Sequence, residues 1–101
     1  MDLDLVQKVG LVIGGSKGIG LAIAKSLASE GVGICIMSRS EENLISAQSD
    51  ILSSAKMKVE TYQGDAANDK DLTALYEYLS GGIGLPDIVI NNSGGPPIGT
   101  F

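Results

Sequence analysis

The 101-residue sequence contains no histidine and no tryptophan, and it has only one cysteine and one phenylalanine. The absence of histidine removes the commonest general base and metal ligand. A single cysteine excludes an intrachain disulfide and a zinc site built from several thiolates, so no metal site is predicted. Because this residue, Cys35, lies in an apolar run, we expect it to be a small buried hydrophobe in a reducing compartment.

Basic residues are also scarce: seven lysines and arginines are outnumbered by twelve acidic residues, and the net charge is −5. No basic stripe is available to neutralise phosphates, which argues against nucleic acid as the main partner. No apolar run is long enough to span a membrane, and the acidic N-terminus is unlike a signal peptide. The composition therefore predicts a soluble, cytoplasmic protein of one domain.

Glycine, by contrast, is abundant, and four of the 14 glycines lie within residues 14–20. This segment connects an apolar run at residues 11–13 to a stretch compatible with a helix. A strand that turns through glycines into a helix presents free N–H groups and partial positive charge to a phosphate. A P-loop is excluded because Ile19, not Lys, follows Gly18. Two interpretations remain: a pyrophosphate-binding turn and an ordinary glycine-rich turn without a ligand.

Strand-like and helix-like segments alternate along the whole chain. Strands are predicted at residues 9–13, 34–37, 59–63 and 88–90, and helices at residues 19–30, 41–54 and 69–80, with Ser40 and Asn68 as N-caps. Apolar residues recur at helical spacing at Ile19, Ile23 and Leu27 in the first helix and at Leu72, Leu75 and Leu79 in the third. The expected buried side of the second helix is Leu44, Ala47, Ile51 and Leu52.

This alternation predicts an α/β fold, namely the first half of a Rossmann-type doubly wound parallel sheet with strand order 3-2-1-4. The first two strands are apolar throughout, as central strands should be, and the third alternates, which suits an edge. The fourth strand is apolar although its outer side is unpaired in this order. We therefore expect residues 1–101 to belong to a larger domain that supplies the missing strands. The alternative is that another chain covers that edge.

Two motifs resemble those of the short-chain dehydrogenase/reductase family. The segment Gly14-Gly15-Ser16-Lys17-Gly18-Ile19-Gly20 is similar to the family's T-G-x-x-x-G-I-G turn, and Asn91-Asn92-Ser93-Gly94 is similar to its N-N-A-G motif. The resemblance covers the whole chain, with two mild departures. Ile13 stands where the family usually has Thr, and Ser93 stands where it usually has Ala. The resemblance implies that residues 1–101 are a nicotinamide-dinucleotide-binding Rossmann domain.

The resemblance also implies which residues bind the cofactor. They are Gly14, Ser16, Lys17, Gly18, Ile19, Gly20, Ser38, Arg39, Asp65, Ala66, Asn92, Ser93 and Gly94. Gly14, Gly18 and Gly20 would lie along the pyrophosphate, and Ile19 would also contact the cofactor. Asp65 would contact adenine, and residues 92–94 would line the adenosine-ribose side of the site. The alternatives are an Asx turn or a helix-start role for Asp65 and a bare turn at residues 92–94. Asn91 resembles the family asparagine that ties the central strands together.

The residues that end the second strand bear on the choice of cofactor. An NAD site places Asp or Glu there to accept hydrogen bonds from the ribose 2′-OH, whereas an NADP site places a cation near the 2′-phosphate. Ser38 occupies that position, Arg39 follows it, and Lys17 adds a second cation in the glycine turn. These residues favour NADP over NAD. The alternative is that Arg39 and Lys17 are solvated surface charges.

The reaction of the resembled family is hydride transfer between the nicotinamide and a carbonyl or alcohol, with a Tyr, a Lys and a Ser as catalytic residues. Tyr62, Tyr76 and Tyr78 lack Lys four residues later, so we expect packing or surface roles for them and assign no catalytic residue. The predicted function is an NADP-dependent oxidoreductase that is homo-oligomeric at full length. Residues 94–97 resemble a loop of 3-oxoacyl-carrier-protein reductases, so a 3-oxoacyl thioester is one candidate substrate. The alternative is a non-catalytic NADP(H)-binding or interaction module complete at 101 residues.

Overall fold

A computed structural model describes residues 8–14, 18–55 and 58–92 of the chain. Four strands and three helices alternate within these segments. They are β1 (Val9–Ile13), α1 (Gly18–Ser29), β2 (Gly33–Ser38), α2 (Glu41–Leu52), β3 (Val59–Gln63), α3 (Asp69–Ser80) and β4 (Ile88–Asn91). The strands form one parallel sheet in the order β3-β2-β1-β4. The predicted α/β fold and its strand order are therefore confirmed.

β1 lies between β2 and β4, and its residues pair with both neighbours. Leu11, for example, lies opposite Cys35 on one side and Val89 on the other. Side chains of a strand alternate between the two faces of the sheet, so Leu11 and Val12 belong to different hydrophobic clusters. Every residue of β1 is buried, which explains why this strand is apolar throughout.

Two hydrophobic cores cover the two faces of the sheet. The α1–α2 core is formed by Val12, Ala24, Ala28, Val32, Ile34, Ile36, Leu44, Ala47, Ile51 and Val59. The α3 core is formed by Leu11, Ile13, Cys35, Met37, Leu75 and Leu79. Helices therefore pack on both faces, as a doubly wound sheet requires.

Cys35 is fully buried in the α3 core, as its apolar surroundings in the sequence predict. Burial raises the pKa of its thiol to about 12, and the nearby Glu60 carboxylate contributes to the rise. The thiol is therefore protonated at neutral pH. A protonated buried thiol is a packing group and not a nucleophile.

The buried side of α2 differs from the expected one at Leu52. This side chain is 53% exposed, so its predicted place in the core is wrong. The buried stripe consists of Leu44, Ala47 and Ile51. Leu52 lies about 100° further around the helix than Ile51, in the last turn, and faces away from the sheet. The helix also ends there, two residues before the predicted end.

The buried side of α1 runs through its smallest residues, Gly20, Ala24 and Ala28. Ile19 opens the apolar repeat seen in the sequence, yet it is 71% exposed. Successive residues of a helix point about 100° apart, so a stripe centred on Gly20 turns Ile19 toward the flank. Small residues on the buried stripe let the helix axis lie close to the sheet.

Ser40 and Asn68 cap α2 and α3, as predicted. The Ser40 side chain accepts a hydrogen bond from the Asn43 N–H at 3.2 Å. Asn68 Oδ1 accepts hydrogen bonds from the N–H groups of Lys70 and Asp71, at 2.9 and 3.2 Å. Each cap thereby pairs N–H groups that the first turn of a helix leaves without an internal partner.

Asp87 joins β4 to β1 at the amino ends of the two strands. Its carboxylate Oδ2 accepts the Val9 N–H at 2.9 Å, and its own N–H donates to the Val9 carbonyl at 2.8 Å. The two residues are 78 positions apart in the sequence. This pair of hydrogen bonds fixes the register in which β4 begins.

Candidate functional site

The loops after β1, β2 and β3 and the end of β4 surround a cavity of about 680 Å³. The carboxyl ends of parallel strands lie at one edge of the sheet, so loops that are distant in sequence meet there. Open α/β sheets bind ligands at this edge, where the strand order reverses direction. In this sheet the reversal lies between β1 and β4. The cavity is therefore at the position where the fold places ligand sites.

The glycine turn after β1 contributes Gly14 and Gly18 to the cavity wall. Both have positive φ angles, 76° and 57°, in the left-handed region that favours glycine. The Gly14 N–H donates to the Met37 carbonyl at 2.8 Å, which fixes the start of the turn against β2. Since α1 begins at Gly18, which lines the cavity, the positive end of its dipole lies there.

The last residue of β2 and the two residues after it (residues 38–40, together named the β2–α2 loop) form the neighbouring wall. Ser38 Oγ accepts the Ser40 N–H at 3.3 Å, and the Arg39 carbonyl accepts a hydrogen bond from Gln63 Nε2 at 3.2 Å. These bonds fix the backbone of the loop. Arg39 itself is exposed and lines the cavity. Among the lining residues that the structure describes, Arg39 is the one with a positive charge. Its guanidinium can therefore pair with an anion bound at this end of the cavity.

The β3–α3 loop (residues 64–67) closes the opposite wall. The Gly64 N–H donates to the Ser38 carbonyl at 2.9 Å, which joins this loop to β2. Asp65 Oδ1 accepts the Ala67 N–H at 2.9 Å, which is the Asx turn expected as the alternative role of Asp65. The turn engages one carboxylate oxygen, and Asp65 is still half-buried at the cavity. The geometry thus accommodates both interpretations of this residue.

The end of β4 forms the last part of the wall. Asn92 is exposed and lines the cavity, and its N–H donates to the Ile13 carbonyl at 2.7 Å. Asn91 lies within β4 opposite Ile13 and is half-buried, so β4 continues one residue beyond its predicted end. Asn91 thereby lies beside the central strand β1.

The structure brings seven of the thirteen predicted site residues to the cavity: Gly14, Gly18, Ser38, Arg39, Asp65, Ala66 and Asn92. Ile19 and Gly20 do not line it, because Ile19 is turned toward the flank of α1 and Gly20 is on the buried side of that helix. The other four predicted residues, Ser16, Lys17, Ser93 and Gly94, lie outside the described residues.

Sequence reasoning missed six residues that line the cavity: Ile13, Met37, Ser40, Asn43, Gly64 and Ala67. Asn43 carries a usable signal, because the third residue after the N-cap Ser40 lies in the first turn of α2, close to the end of β2. Gly64 directly follows β3 and could have been assigned by the rule that identified Arg39 after β2. Met37 gives no such signal, because its apolar character indicates a core residue.

The three tyrosines are not among the residues that line the cavity. Tyr62 packs against the α3 core, and its ring centroid is 5.4 Å from that of Tyr78. The Tyr78 hydroxyl donates to Glu60 Oε2 at 2.6 Å, and this hydrogen bond, together with burial, raises the pKa of Tyr78 to about 12. Tyr76 and Tyr78 are both more than one third exposed. These positions fit the packing and surface roles expected from the sequence.

Residues 8–14, 18–55 and 58–92 contain no group of three or more acidic or cysteine side chains that could hold a metal ion. The helices of that part of the chain are also too short to cross a membrane.

A family model described as short chain dehydrogenase matches residues 8–101. A 3-oxoacyl-[acyl-carrier-protein] reductase from Chlamydia muridarum is 34% identical over 94 residues, which are 93% of this chain and 38% of the relative. The chain spans about two fifths of the length of the curated relatives that it matches.

Solved structures share the arrangement described above. One is L-sorbose reductase from Gluconobacter frateurii, complexed with NADPH and L-sorbose, which matches with a TM-score of 0.86 at 32% identity. The match covers 99% of this chain and 38% of the reductase chain. An NAD⁺-bound xylitol dehydrogenase matches with a TM-score of 0.79 at 26% identity, and the match covers 84% of this chain and 32% of the dehydrogenase chain. Both nicotinamide dinucleotides therefore occur among the structures similar to this one.

Proposed function

Since the chain belongs to the short chain dehydrogenase family, we propose that it binds NADP(H) as the cofactor-binding part of an oxidoreductase. The β2–α2 loop carries this proposal: Arg39 lines the cavity beside the end of β2, and Ser38 stands where an NAD site has an acid. When bound, the dinucleotide supplies the hydride chemistry, and the whole protein interconverts a carbonyl and an alcohol.

The residues around the cavity fit a dinucleotide from its pyrophosphate to its adenine. The positive φ angles of Gly14 and Gly18 let the backbone come close to a pyrophosphate, which the N-terminus of α1 attracts. Asp65 and Ala66 provide a wall for the adenine, with the carboxylate as an acceptor for its amino group. Asn92 is the proposed neighbour of the adenosine ribose.

Charge is the basis for preferring NADP. A guanidinium can hold a 2′-phosphate through two parallel N–H donors, and the neutral Ser38 adds no repulsion. Lys17, in the glycine turn, is the second cation that we propose for this phosphate. The NADPH bound to L-sorbose reductase supports this choice, and the NAD⁺ bound to xylitol dehydrogenase shows why it needs a direct test.

The substrate is proposed only as a class, a carbonyl compound or the corresponding alcohol. The name of the Chlamydia muridarum relative supports a 3-oxoacyl thioester as one member of that class. No tyrosine of the chain has lysine at the fourth following position, so we assign no catalytic residue among residues 1–101. We also propose a cytoplasmic location, which the buried, protonated Cys35 fits. We further propose that the full-length protein is a homo-oligomer, as is common in the family.

Titration of the purified protein with NADPH and with NADH, followed by nucleotide fluorescence, tests the proposal. We expect NADPH to bind more tightly, and Arg39→Gln to weaken NADPH binding about 10- to 100-fold, since charge-assisted bonds contribute about 1.5–3 kcal/mol. NADH binding should change little. Lys58→Gln is the matched control, because Lys58 is an exposed cation just before β3, at the opposite end of the strand.

Two results would contradict the proposal. Tighter binding of NADH than of NADPH by the unaltered protein would remove the NADP preference but keep the dinucleotide site. Binding of neither nucleotide would remove the cofactor site itself.

A further inference from the structure

We propose that Asp71, in the first turn of α3, is a positioning residue for the adenosine end of the dinucleotide. It does not line the cavity. It acts through the β3–α3 loop, whose residues do line the cavity. Asp71 hydrogen-bonds to the backbone of this loop. This inference rests on the proposed function and adds to it a residue that neither the glycine turn nor the loop sequence identifies.

The contact that carries the inference is a hydrogen bond from the Asp65 N–H to Asp71 Oδ2, 2.8 Å long and partly buried. The acceptor is a carboxylate, and bonds of this kind are stronger than those between neutral groups. In an ordinary capping box, the acid at the third helical position accepts the N–H of the N-cap residue. Here the N-cap Asn68 donates its N–H to the Asp65 carbonyl at 2.9 Å instead.

Asp71 is therefore released from the usual capping role and reaches three residues further back, into the loop. The helix loses nothing by this, because Asn68 Oδ1 already pairs with two N–H groups of the first turn. The Asp71 carboxylate is thus available to fix the backbone of the loop. Without it, the Asp65 N–H would lose this acceptor, and a partly buried donor is costly to leave unpaired.

Gly64 shows how closely the loop is enclosed. A Cβ atom on Gly64 would lie 3.0 Å from Met37 Cε and 3.4 Å from Asp71 Oδ2. The side chains of Met37 and Asp71 therefore occupy the space beside the Gly64 Cα, while the Gly64 N–H is bonded to the Ser38 carbonyl. Removal of the Asp71 side chain leaves space next to Gly64 as well as an unpaired N–H at Asp65. Both changes loosen the same segment.

The loop backbone determines where the Asp65 carboxylate lies. Asp65 Oδ1 is held by the Ala67 N–H within the same loop, so carboxylate and backbone move together. A shift of the loop would carry Asp65 and Ala66 away from an adenine in the cavity. Because NADP and NAD share their adenosine, the shift should weaken both to the same degree. That distinguishes Asp71 from Arg39, whose loss should affect NADPH alone.

The test compares Asp71→Ala with Asp69→Ala as a matched control. Asp69 is an exposed acid in the same first turn of α3, so its removal changes the helix charge equally without touching the loop. The dissociation constants for NADPH, NADH and adenosine 2′,5′-bisphosphate are measured by calorimetry. We expect Asp71→Ala to raise all three about tenfold, with the NADPH-to-NADH ratio unchanged. Asp69→Ala should leave all three within about twofold.

Asp71→Asn keeps an acceptor oxygen at the same place, so it should retain most of the affinity that Asp71→Ala loses. It also serves if Asp71→Ala does not fold. Amide hydrogen exchange on the unliganded protein gives a second readout: the Asp65 N–H should exchange faster in Asp71→Ala than in Asp69→Ala, with Asp71→Asn between the two.

Unchanged affinity in a folded Asp71→Ala, or an equal loss in Asp69→Ala, would overturn the positioning role and leave the proposed function intact. A lower melting temperature with unchanged dissociation constants would also overturn it, since that pattern indicates a purely structural role. Absence of dinucleotide binding by the unaltered protein would overturn the proposed function, and this role with it.

Discussion

The two loops that face each other across the cavity are held in different ways. The β2–α2 loop is fixed by a hydrogen bond from the exposed Gln63 and carries an exposed cation, Arg39. The β3–α3 loop is packed between Met37 and Asp71 and has little space at Gly64. The first loop can change its charge with little effect on its neighbours, whereas the second cannot change its shape without moving them. We infer that the first sets which dinucleotide binds and the second sets how tightly either one binds.

The largest effect should follow from a new charge in the β2–α2 loop. In Ser38→Asp, a carboxylate would lie where we place the 2′-phosphate of NADPH. Like charges this close cost several kcal/mol, so the NADPH dissociation constant should rise about 100-fold. NADH should bind at least as well as before, because the carboxylate can accept the ribose 2′-OH. Titration with both nucleotides measures the change.

Ser38→Asn is the control for that substitution, since it adds a side chain of the same size without a charge. It should shift NADPH binding far less than Ser38→Asp. Equal losses in the two variants would mean that side-chain size, not charge, governs this loop.

A smaller effect, of a different kind, should follow from a new shape in the β3–α3 loop. Gly64→Val inserts a branched side chain between Met37 Cε and the Asp71 carboxylate, where even a Cβ is crowded. Overpacking of this kind costs about 1–3 kcal/mol, so the free energy of unfolding should fall by that amount. NADPH and NADH should both bind about tenfold more weakly, in contrast to the selective loss in Ser38→Asp.

The control is Gly82→Val, at a position after α3 where an added Cβ would approach nothing closer than 3.5 Å. Chemical denaturation and nucleotide titration are run on both variants. A change in the NADPH-to-NADH ratio in Gly64→Val would contradict the division of roles between the loops.

The smallest effect should come from Gln63, which links the end of β3 to the β2–α2 loop. Gln63→Leu removes the hydrogen bond to the Arg39 carbonyl, and an exposed bond of this type contributes about 0.5–1.5 kcal/mol. NADPH should bind about threefold more weakly, with NADH unchanged. Gln48→Leu is the control, because Gln48 Nε2 donates to the Val59 carbonyl at 2.8 Å and Gln48 does not line the cavity. The same loss of NADPH binding in Gln48→Leu would contradict a role specific to Arg39.

The fold could be predicted from the sequence because its signals are local. Apolar runs, glycine turns and the caps Ser40 and Asn68 each act within a few residues, and the alternation of elements then restricts the sheet to few arrangements. The errors arose where a local rule was applied one residue too far. Leu52 has the right hydrophobicity for the core, but its angle around α2 turns it outward.

The predicted site residues that line the cavity lie at the end of a strand, in the loop after it or at the start of the next helix. Arg39 and Asn92 come immediately after β2 and β4, so their place at the cavity follows from the topology alone. Asp71 and Gln63 act through hydrogen bonds to loops that they do not belong to. No pattern in the sequence marks such bonds, because a surface acid in a first helical turn and a glutamine ending a strand are both ordinary.

The pair of hydrogen bonds between Asp87 and Val9 also bears on how the protein folds. β1 and β2 are close in sequence, since Val9 pairs with Gly33. The contact between β1 and β4 instead requires Asp87, which is 78 positions away from Val9. During synthesis, β1 therefore emerges with a partner on one side and an open hydrogen-bonding edge on the other. Closure over such a long loop is slow relative to local pairing. We therefore expect the arrival of β4 to be a late folding event, and the strand that leads into the glycine turn to be vulnerable to aggregation until then.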